Sequence, residues 1–468
     1  MRGRRARTAR GRPPEVVTPE PFETISAVAT PPGRGAIAVV RTSGTATRAV
    51  AARVFRARGA LRPRLATLGT IVDEAGAEID EGLALFFPAP HSYTGEDVLE
   101  LHVHGSPVVV RETLAALFAA GARLATPGEF TRRAFLHGKL DLSAAEAVAD
   151  LIDAESRSAA RAAHARLGGG LLAAVGAQRE RLETILGELS GTLDFPDEVP
   201  EPPRVRLNAE IAAVQAALAR LAAGFETGRL VREGVGVAIV GPPNAGKSSL
   251  LNALLGDERA LVSELAGTTR DTIEESFGLD GLRIRLIDTA GIRSHAGRLE
   301  AQGIARSERA LEAARIVLVV VDGSRRLDEE ARALLARTRE RERVVIFNKR
   351  DLGTAGYEER EPSEAQALCV SVLDASDLAR IRTALTAAIG IDAPDLERPH
   401  LATARQADCV QAALRALGRA ALTLAEGYPI DLLAGDLVEA SAALGELGGD
   451  AATEAILDVV FARFCIGK

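Results

Sequence analysis

The sequence predicts a multidomain chain with α/β and α+β parts. An α+β domain comes first, then a helical bundle in two segments with an α/β domain inserted between them. Three observations predict this. VGVAIV (235–240) followed by GPPNAGKSSLLNALLG is a buried-strand run, a Gly-rich turn and a helix with apolar spacing. Residues 140–232, and the stretch from ARQADCVQ to the end, are rich in Ala, Leu, Arg and Glu. Their apolar positions recur every three or four residues, as amphipathic helices require. Residues 22–139 instead mix short β runs (ISAVATPPGRGAIAVVRTSG, ALFFPAP, DVLELHVHG) with a helical stretch, VVVRETLAALFAAGARLA.

The boundaries read as 1–20, a basic extension without structure; 21–139, the N-terminal domain; 140–232, helical segment 1; 233–390, the inserted domain; and 391–468, helical segment 2. One bundle interrupted by an insertion is more economical than two separate hairpins, because domain ends commonly lie close together. The extension MRGRRARTARGR carries six Arg in twelve residues with no apolar segment behind it, so it is not a secretory signal.

The 468 residues are 47% hydrophobic and 26% charged, ordinary for a soluble globular chain. Three cysteines, Cys369, Cys409 and Cys465, form no CxxC pair, which argues for a reducing cytoplasm and against a disulfide framework. No apolar run approaches the length of a membrane span. A net charge of −7 means that any RNA must be held by local basic patches. Of the 57 Lys and Arg residues, four are Lys (Lys139, Lys247, Lys349, Lys468) and the other 53 are Arg. Where Arg is the default cation, a retained Lys marks a need for a compact point charge.

The inserted domain carries the clearest chemistry. Gly241, Gly246, Lys247 and Ser248 fill G-x-x-x-x-G-K-[ST] between strand and helix. Asn244, Ala245, Gly246, Lys247, Ser248 and Ser249 would wrap phosphates with backbone N–H groups at a helix N-terminus. Lys247 reaches the outer phosphates, and the Ser248 hydroxyl ligates Mg²⁺. SELAGTTRD (263–271) offers Thr269 as a second Mg²⁺ ligand. LRIRLIDTAG (282–291) supplies Asp288, Thr289, Ala290 and Gly291 around Mg²⁺ and the γ-phosphate. VVIFNKRD (344–351) supplies Asn348, Lys349 and Asp351. The Asp351 carboxylate matches the paired N1–H and 2-amino donors of guanine, which adenine lacks. Ser371, Val372 and Leu373 follow ALCV, where the Val372 N–H is expected to meet guanine O6. This is a P-loop GTPase domain of Ras-like α/β type; a guanine-binding switch without turnover is the alternative.

Ile292 stands where many small GTPases carry a water-positioning Gln. A polar group must therefore come from elsewhere. No arginine finger is evident, although Arg270 and Arg293 are available. The Asn244 amide oxygen is placed to hold a monovalent cation among the phosphates, supplying the charge of an arginine finger. In the N-terminal domain, His102 and His104 share one face of a strand; a metal there needs a third ligand, and strand-edge hydrogen bonding is the other reading.

Further strings are more specific: TPPGRGAIAVVRTSG, SYTGEDVLELHVHG, TPGEFTRRAFLHGKLDLSAAEAVADLIDA, DFPDE and the terminal FCIGK. With the P-loop elements, they make the chain resemble the tRNA modification GTPases of the MnmE (TrmE) family from about residue 22 to 468. The resemblance implies a folate-binding N-terminal domain that forms a homodimer. It implies a heterotetramer with the FAD-dependent partner MnmG (GidA). It also implies an aminomethyl-type group installed on the wobble uridine (position 34) of certain tRNAs, with a 5-formyl or methylene tetrahydrofolate as one-carbon donor. GTP hydrolysis in that family depends on K⁺.

By position, the resemblance places Asn244, Ser263, Leu265 and Thr268 around K⁺, and Ser248 and Thr269 on Mg²⁺. Glu300 orients the attacking water, filling the gap left by Ile292. Arg41, Glu100, Lys139 and Lys468 contact folate: Glu100 pairs with the pterin, and Arg41 and the two lysines meet the anionic glutamyl tail. All four lysines thus fall in ligand motifs. Cys465 is either a thiolate nucleophile toward uracil C6 or a packing residue. His137 in FLHGK stands where the family commonly shows Asn. The rival class, which explains the G domain alone, is a GTPase switch in ribosome assembly or RNA chaperoning; a third is a folate-binding scaffold whose G domain only controls assembly.

Overall fold

The computed structural model describes residues 23–256, 275–287, 311–360, 367–391 and 400–468. The described residues up to Asp141 fold together with Ala452–Lys468 as one compact unit, and Leu142–Ala451 form a second. Among the described residues, no helix is long and apolar enough to cross a membrane.

The first unit is built on β1 (Ile25–Val28), β2 (Ile37–Ser43), α1 (Thr47–Val54), β3 (Phe55–Ala57), β4 (Thr67–Val72), β5 (Glu78–Phe87), β6 (Val98–His104), α2 (Pro107–Ala119), β7 (Arg123–Leu124) and α3 (Glu129–Leu136). The strands form one sheet in the order β3-β4-β5-β6-β2-β1-β7, antiparallel except for the β1–β7 pair. Period-two alternation sorts its faces. Val40, Leu99, Leu101 and Val103 point inward to a core with Val50, Val54 and Leu117 of α1 and α2. Arg41, Glu100 and His102 take the opposite, part-exposed face.

Arg133 of α3 is 1% exposed, and buried charge persists only when paired. Its guanidinium donates to Glu96 at 3.0 Å, to Glu129 at 2.7 Å and to the Glu23 carbonyl at 2.8 Å. Burial alone would raise the Glu129 carboxyl, but bonds from Arg123, the Thr126 N–H and Arg133 hold it at about 2. Glu96 also accepts from Ser43 at 2.7 Å. The network pins α3 and the loop before β6 to β2, where the candidate ligand groups stand.

The second unit begins with α4 (Leu142–Ile152), α5 (Arg157–Leu167), α6 (Gly170–Asp194), α7 (Arg204–Ala223) and α8 (Phe225–Glu233). A nucleotide-type domain follows: β8 (Val235–Val240), α9 (Lys247–Gly256), β9 (Glu275–Leu279), β10 (Leu282–Ile287), β11 (Ile316–Asp322), α10 (Glu329–Arg337), β12 (Arg343–Asn348), α11 (Ala355–Glu358), β13 (Leu368–Cys369) and α12 (Ala375–Ile389). The chain closes with α13 (Ala404–Ala425), α14 (Ile430–Gly448) and α15 (Glu454–Phe461). The sheet order is β13-β12-β11-β8-β10-β9, parallel but for the edge strand β9. β8, buried along its length, is central, and the chain leaves it in opposite directions. That switch point is where ligands bind in open parallel sheets, outside the carboxyl ends of the strands.

The two helical segments share one core. Leu182 and Leu189 of α6 and Ile211 and Leu218 of α7 pack with Val410 and Leu417 of α13 and Leu437 and Leu444 of α14. One bundle is thus completed across the inserted domain.

The sequence places FCIGK at the end of helical segment 2. It also expects the motif to tuck back against the N-terminal domain, and in the structure Ala452–Lys468 belong to that unit, so helical segment 2 ends before them. Phe464 packs on Phe461, with centroids 5.6 Å apart, and both lie against Gly128. Arg132 of α3 pairs with Glu454 and with Asp458 of α15. The tail's apolar side chains find their complement on α3, not on the bundle.

Candidate functional site

The parallel register brings the carboxyl ends of β8, β11 and β12 to one edge, so motifs far apart in sequence converge. The P-loop turns through Asn244 at φ 61° and Gly246 at φ 102°. A Cβ on Gly246 would stand 2.1 Å from Asn348 Nδ2, and one on Gly241 would stand 2.0 Å from the Val320 carbonyl oxygen. These glycines therefore serve close backbone approach as well as torsional freedom. Lys247 Nζ donates to the Gly241 and Pro242 carbonyls at 2.6 and 2.7 Å, and burial lowers its basicity. A polyphosphate there would favour the charged amine.

Asn348, 2% exposed, is the hinge pin of the base side. Its Nδ2 donates to the Ala245 carbonyl at 2.9 Å, and its Oδ1 accepts from the Val372 N–H at 3.1 Å. The Val372 N–H, expected on guanine O6, thus has an internal acceptor, and a contact to O6 needs that bond shared or another N–H. The reason is register: β12 ends beside the Ser371 loop, within reach of the Asn348 side chain. Asp351, Arg350, Ser371, Leu373 and Asp374 line an open cavity of about 440 Å³. Leu373 is 84% exposed on its rim, so an apolar side chain replaces the usual longer one.

Two supports were not visible in the motifs. Asp322, at the end of β11, accepts from Lys349 Nζ at 2.8 Å and from the Ser324 hydroxyl at 2.6 Å. Burial would raise its carboxyl, but these bonds hold it below the usual range. Asp377, 2% exposed, accepts from the Ser371 N–H at 2.9 Å and from Arg350 at 2.8 Å, and so fixes the base loop. The only sequence signals were an Asp closing a strand (VVVD) and a second Asp three residues past Asp374.

In the N-terminal unit, Arg41 and Glu100 are cross-strand partners. Arg41 Nε and Nη2 lie 2.9 and 2.8 Å from Glu100 Oε1. The guanidinium sits 5.5 Å from the Tyr93 ring centroid and 5.8 Å from that of Phe130. Tyr93 is hydrogen-bonded to Thr131 at 2.9 Å, and burial raises its phenol. Lys139 Nζ donates to the Pro90 carbonyl at 3.1 Å, and His137 Nδ1 lies 2.8 Å from the Thr94 carbonyl oxygen. The Lys468 carbonyl accepts from the Phe130 N–H at 3.1 Å. Phe130 therefore links the chain's last residue to Arg41. Tyr93 and Phe130 lie inside quoted motifs but carry no charge pattern to single them out.

One expected role changes. Arg41 and Glu100 touch, so they stand at the same end of any ligand, and Arg41 cannot meet a glutamyl tail while Glu100 holds the far ring. Glu100 Oε1 accepts both Arg41 bonds, while Oε2 faces His102 Nε2 at 3.7 Å, beyond hydrogen-bond distance. His104 is engaged by Asp80 through Nδ1 at 2.7 Å. Among the described residues no group of three or more His, Cys, Asp or Glu could hold a metal.

Comparison with known proteins follows this geometry. The N-terminal family pattern, GTP-binding protein TrmE N-terminus, matches residues 24–139, and the MnmE helical domain matches 142–465. The tRNA modification GTPase MnmE of Moorella thermoacetica is 43% identical over 460 residues, covering 95% of this chain and 99% of that one. The chain belongs to the MnmE family of tRNA modification GTPases. The MnmE proteins of Symbiobacterium thermophilum (44% identical, 95% of this chain and 99% of that one) and Aquifex aeolicus (38%, 95% and 100%) agree. The solved FeoB G domain of Methanococcus jannaschii is 21% identical over 33% of this chain and 97% of that one, at a TM-score of 0.23, too low to bear on the fold.

Within this MnmE-family chain, Asn244, Lys247, Asn348, Lys349, Asp351 and the Ser371–Leu373 loop are gathered at one edge of the second sheet. Arg41, Glu100, Lys139 and Lys468 are gathered around α3. Cys465 is exposed. Ser263, Leu265, Thr268, Thr269, Asp288, Thr289, Ala290, Gly291 and Glu300 lie outside the described residues.

Proposed function

We propose that this chain couples K⁺-dependent GTP hydrolysis to tRNA modification. With an FAD-containing partner, MnmG, it installs an aminomethyl or carboxymethylaminomethyl group on the wobble uridine, with a tetrahydrofolate derivative as one-carbon donor. Membership of the family supports a GTP hydrolase that acts in tRNA modification and uses GTP and Mg²⁺. The observation that carries the finer reading is the pairing, in one chain, of an open cavity lined by Asp351 beside the P-loop edge with the aromatic-flanked Arg41–Glu100 pair.

In the nucleotide site, Lys247 steadies the outer phosphates, Ser248 and Thr269 hold Mg²⁺, and Asp351 selects guanine. Asn244, with Ser263, Leu265 and Thr268, holds K⁺, which supplies positive charge among the phosphates. Glu300 orients the attacking water. In the N-terminal site, Glu100 and Arg41 receive the pterin ring between Tyr93 and Phe130, and Lys139 and Lys468 receive the anionic tail. A planar ring over an Arg between aromatics suits a pterin. Cys465 stands in the same terminal segment. A homodimer through the N-terminal domains is supported by exposed Ile37, Leu68 and Leu83 on that sheet. The proposed compartment is the cytoplasm.

Cells lacking the chain are expected to carry unmodified wobble uridine in the affected tRNAs, read by nucleoside mass spectrometry. Unchanged nucleosides would overturn the reading in favour of a ribosome-assembly switch. GTP turnover by the purified chain is expected to be at least about tenfold faster in K⁺ than in Na⁺, since a site of amide and carbonyl oxygens sized for the larger ion holds it among the phosphates and the smaller ion poorly. Equal rates in the two salts would remove Asn244 from the mechanism.

A further inference from the structure

The chain crosses between the helical bundle and the nucleotide domain twice. It enters through α8, which ends two residues before β8, and returns through His400–Gln406 into α13. Both crossings are tied to a single helix, α4, by two carboxylates one turn apart.

Asp150 holds the inward crossing. Its side chain is 8% exposed and accepts from Arg232 Nε of α8 and Arg166 Nη2 of α5, both at 2.6 Å. Glu146 holds the return. It accepts from Arg405 Nε and Nη2, both at 2.9 Å, and from Gln406 Nε2 at 2.7 Å. Thr403 caps α13, and Arg405 also donates to the Glu446 carbonyl at 2.9 Å, so the return is anchored to α14 as well. The two crossings also lie directly on each other. A Cβ on Gly228 of α8 would stand 2.2 Å from the Leu401 carbonyl oxygen, and one on Gly224 would stand 2.8 Å from His400 Nδ1. Both chain crossings touch here, and the nucleotide domain also meets α5 where Ser158 donates to the Gly281 carbonyl. Helix α4 begins at Leu142, directly after Asp141, the last residue of the first unit before the chain enters the second.

We propose that Asp150 and Arg232 are positioning residues that couple the nucleotide site to α4, and that this ion pair carries the nucleotide state out of the G domain. Buried ion pairs serve specificity and switching better than they serve stability. Asp150 joins one partner on the crossing itself (Arg232 of α8) to one off the chain path (Arg166 of α5, a helix whose Ser158 also donates to the Gly281 carbonyl of the nucleotide domain). That asymmetry supplies its own control. Losing either Arg leaves Asp150 one partner, and Arg166 is the more buried of the two (4% against 23% exposed), so its loss is no milder to the fold. Only the loss of Arg232 cuts the crossing. The consequence for tRNA rests on the proposed function; the coupling does not.

The test uses full-length chain carrying Arg232→Ala, Arg232→Gln or Arg166→Ala. Backbone amide exchange across 142–152 is measured with GDP and with a non-hydrolysable GTP analogue, alongside GTP turnover, melting temperature and wobble-uridine content in cells. The wild type is expected to show nucleotide-dependent exchange in α4. Both Arg232 variants are expected to lose that difference and to modify tRNA about tenfold less per GTP hydrolysed, within the usual span of intersite coupling. Arg166→Ala is expected to keep both while melting at least as low as Arg232→Ala. Equal loss in the Arg232 and Arg166 variants, or no loss in any, overturns the proposal. The glutamine variant serves if the alanine variant does not fold. Should wild-type cells modify no tRNA while α4 still responds through Arg232, the functional reading falls and the coupling stands.

Discussion

Asp351→Asn is expected to change the nucleotide that this chain binds, from GTP to XTP. Guanine offers two adjacent donors, N1–H and the 2-amino group, to the two oxygens of a carboxylate. Xanthine offers N1–H and a 2-oxo acceptor, which an amide's oxygen and nitrogen match. Asp351 lies in the Arg350–Leu352 turn, lining the open cavity beside Ser371 and Leu373. Asp322, through Lys349, and Asp377, through Arg350, hold this turn by separate side chains, so the substitution leaves the pocket's frame intact. Two hydrogen bonds to a charged acceptor contribute about 3 to 6 kcal/mol together, or roughly two to four orders of magnitude in affinity. Titration calorimetry with GTP and XTP measures it. GTP affinity unchanged within a factor of three would remove Asp351 from base recognition.

Gly467→Ala is expected to disable the terminal motif while sparing GTP hydrolysis. Gly467 sits at φ 100°, where side chains are strained, and a Cβ there would stand 1.9 Å from the Val28 carbonyl oxygen. Val28 is paired with Val40 in the sheet, so the strand cannot yield. The tail must lift instead. That breaks the Phe130 N–H to Lys468 bond and moves Lys468 off α3. Strain of this kind costs about 1 to 3 kcal/mol. If Lys468 holds folate, a displacement of an ångström lowers modification by about 10²-fold. Folate affinity, nucleoside content and GTP turnover are measured together. Full modification by the Ala variant would show that the docked tail is dispensable.

The nucleotide domain is the most legible part of the sequence because its signals are local. VGVAIV is apolar throughout since β8 is covered on both faces. The turn after it has only glycine where another atom lies within about 2 Å. The helical segments are legible as helices from their spacing, but not as partners. Nothing local says that Leu182 meets Leu417. The supports Asp322 and Asp377 escape notice because each is a single carboxylate whose meaning depends on what the fold brings to it. The roles of Arg41 and Val372 change for the same reason. Residue type shows what each group is able to bind, whereas register decides what it meets first.

By itself, the sequence determined the family, the GTPase type of the inserted domain and the helical character of its flanks. Those properties reside in short strings whose backbone demands and donor patterns are local. The tertiary structure alone decided how FCIGK docks, with the Lys468 carbonyl on the Phe130 N–H and Phe464 against Gly128, that Arg41 and Glu100 form one pair, and that α4 ties both crossings of the inserted domain. These depend on contacts between residues far apart in the chain, which are settled by burial and strand register.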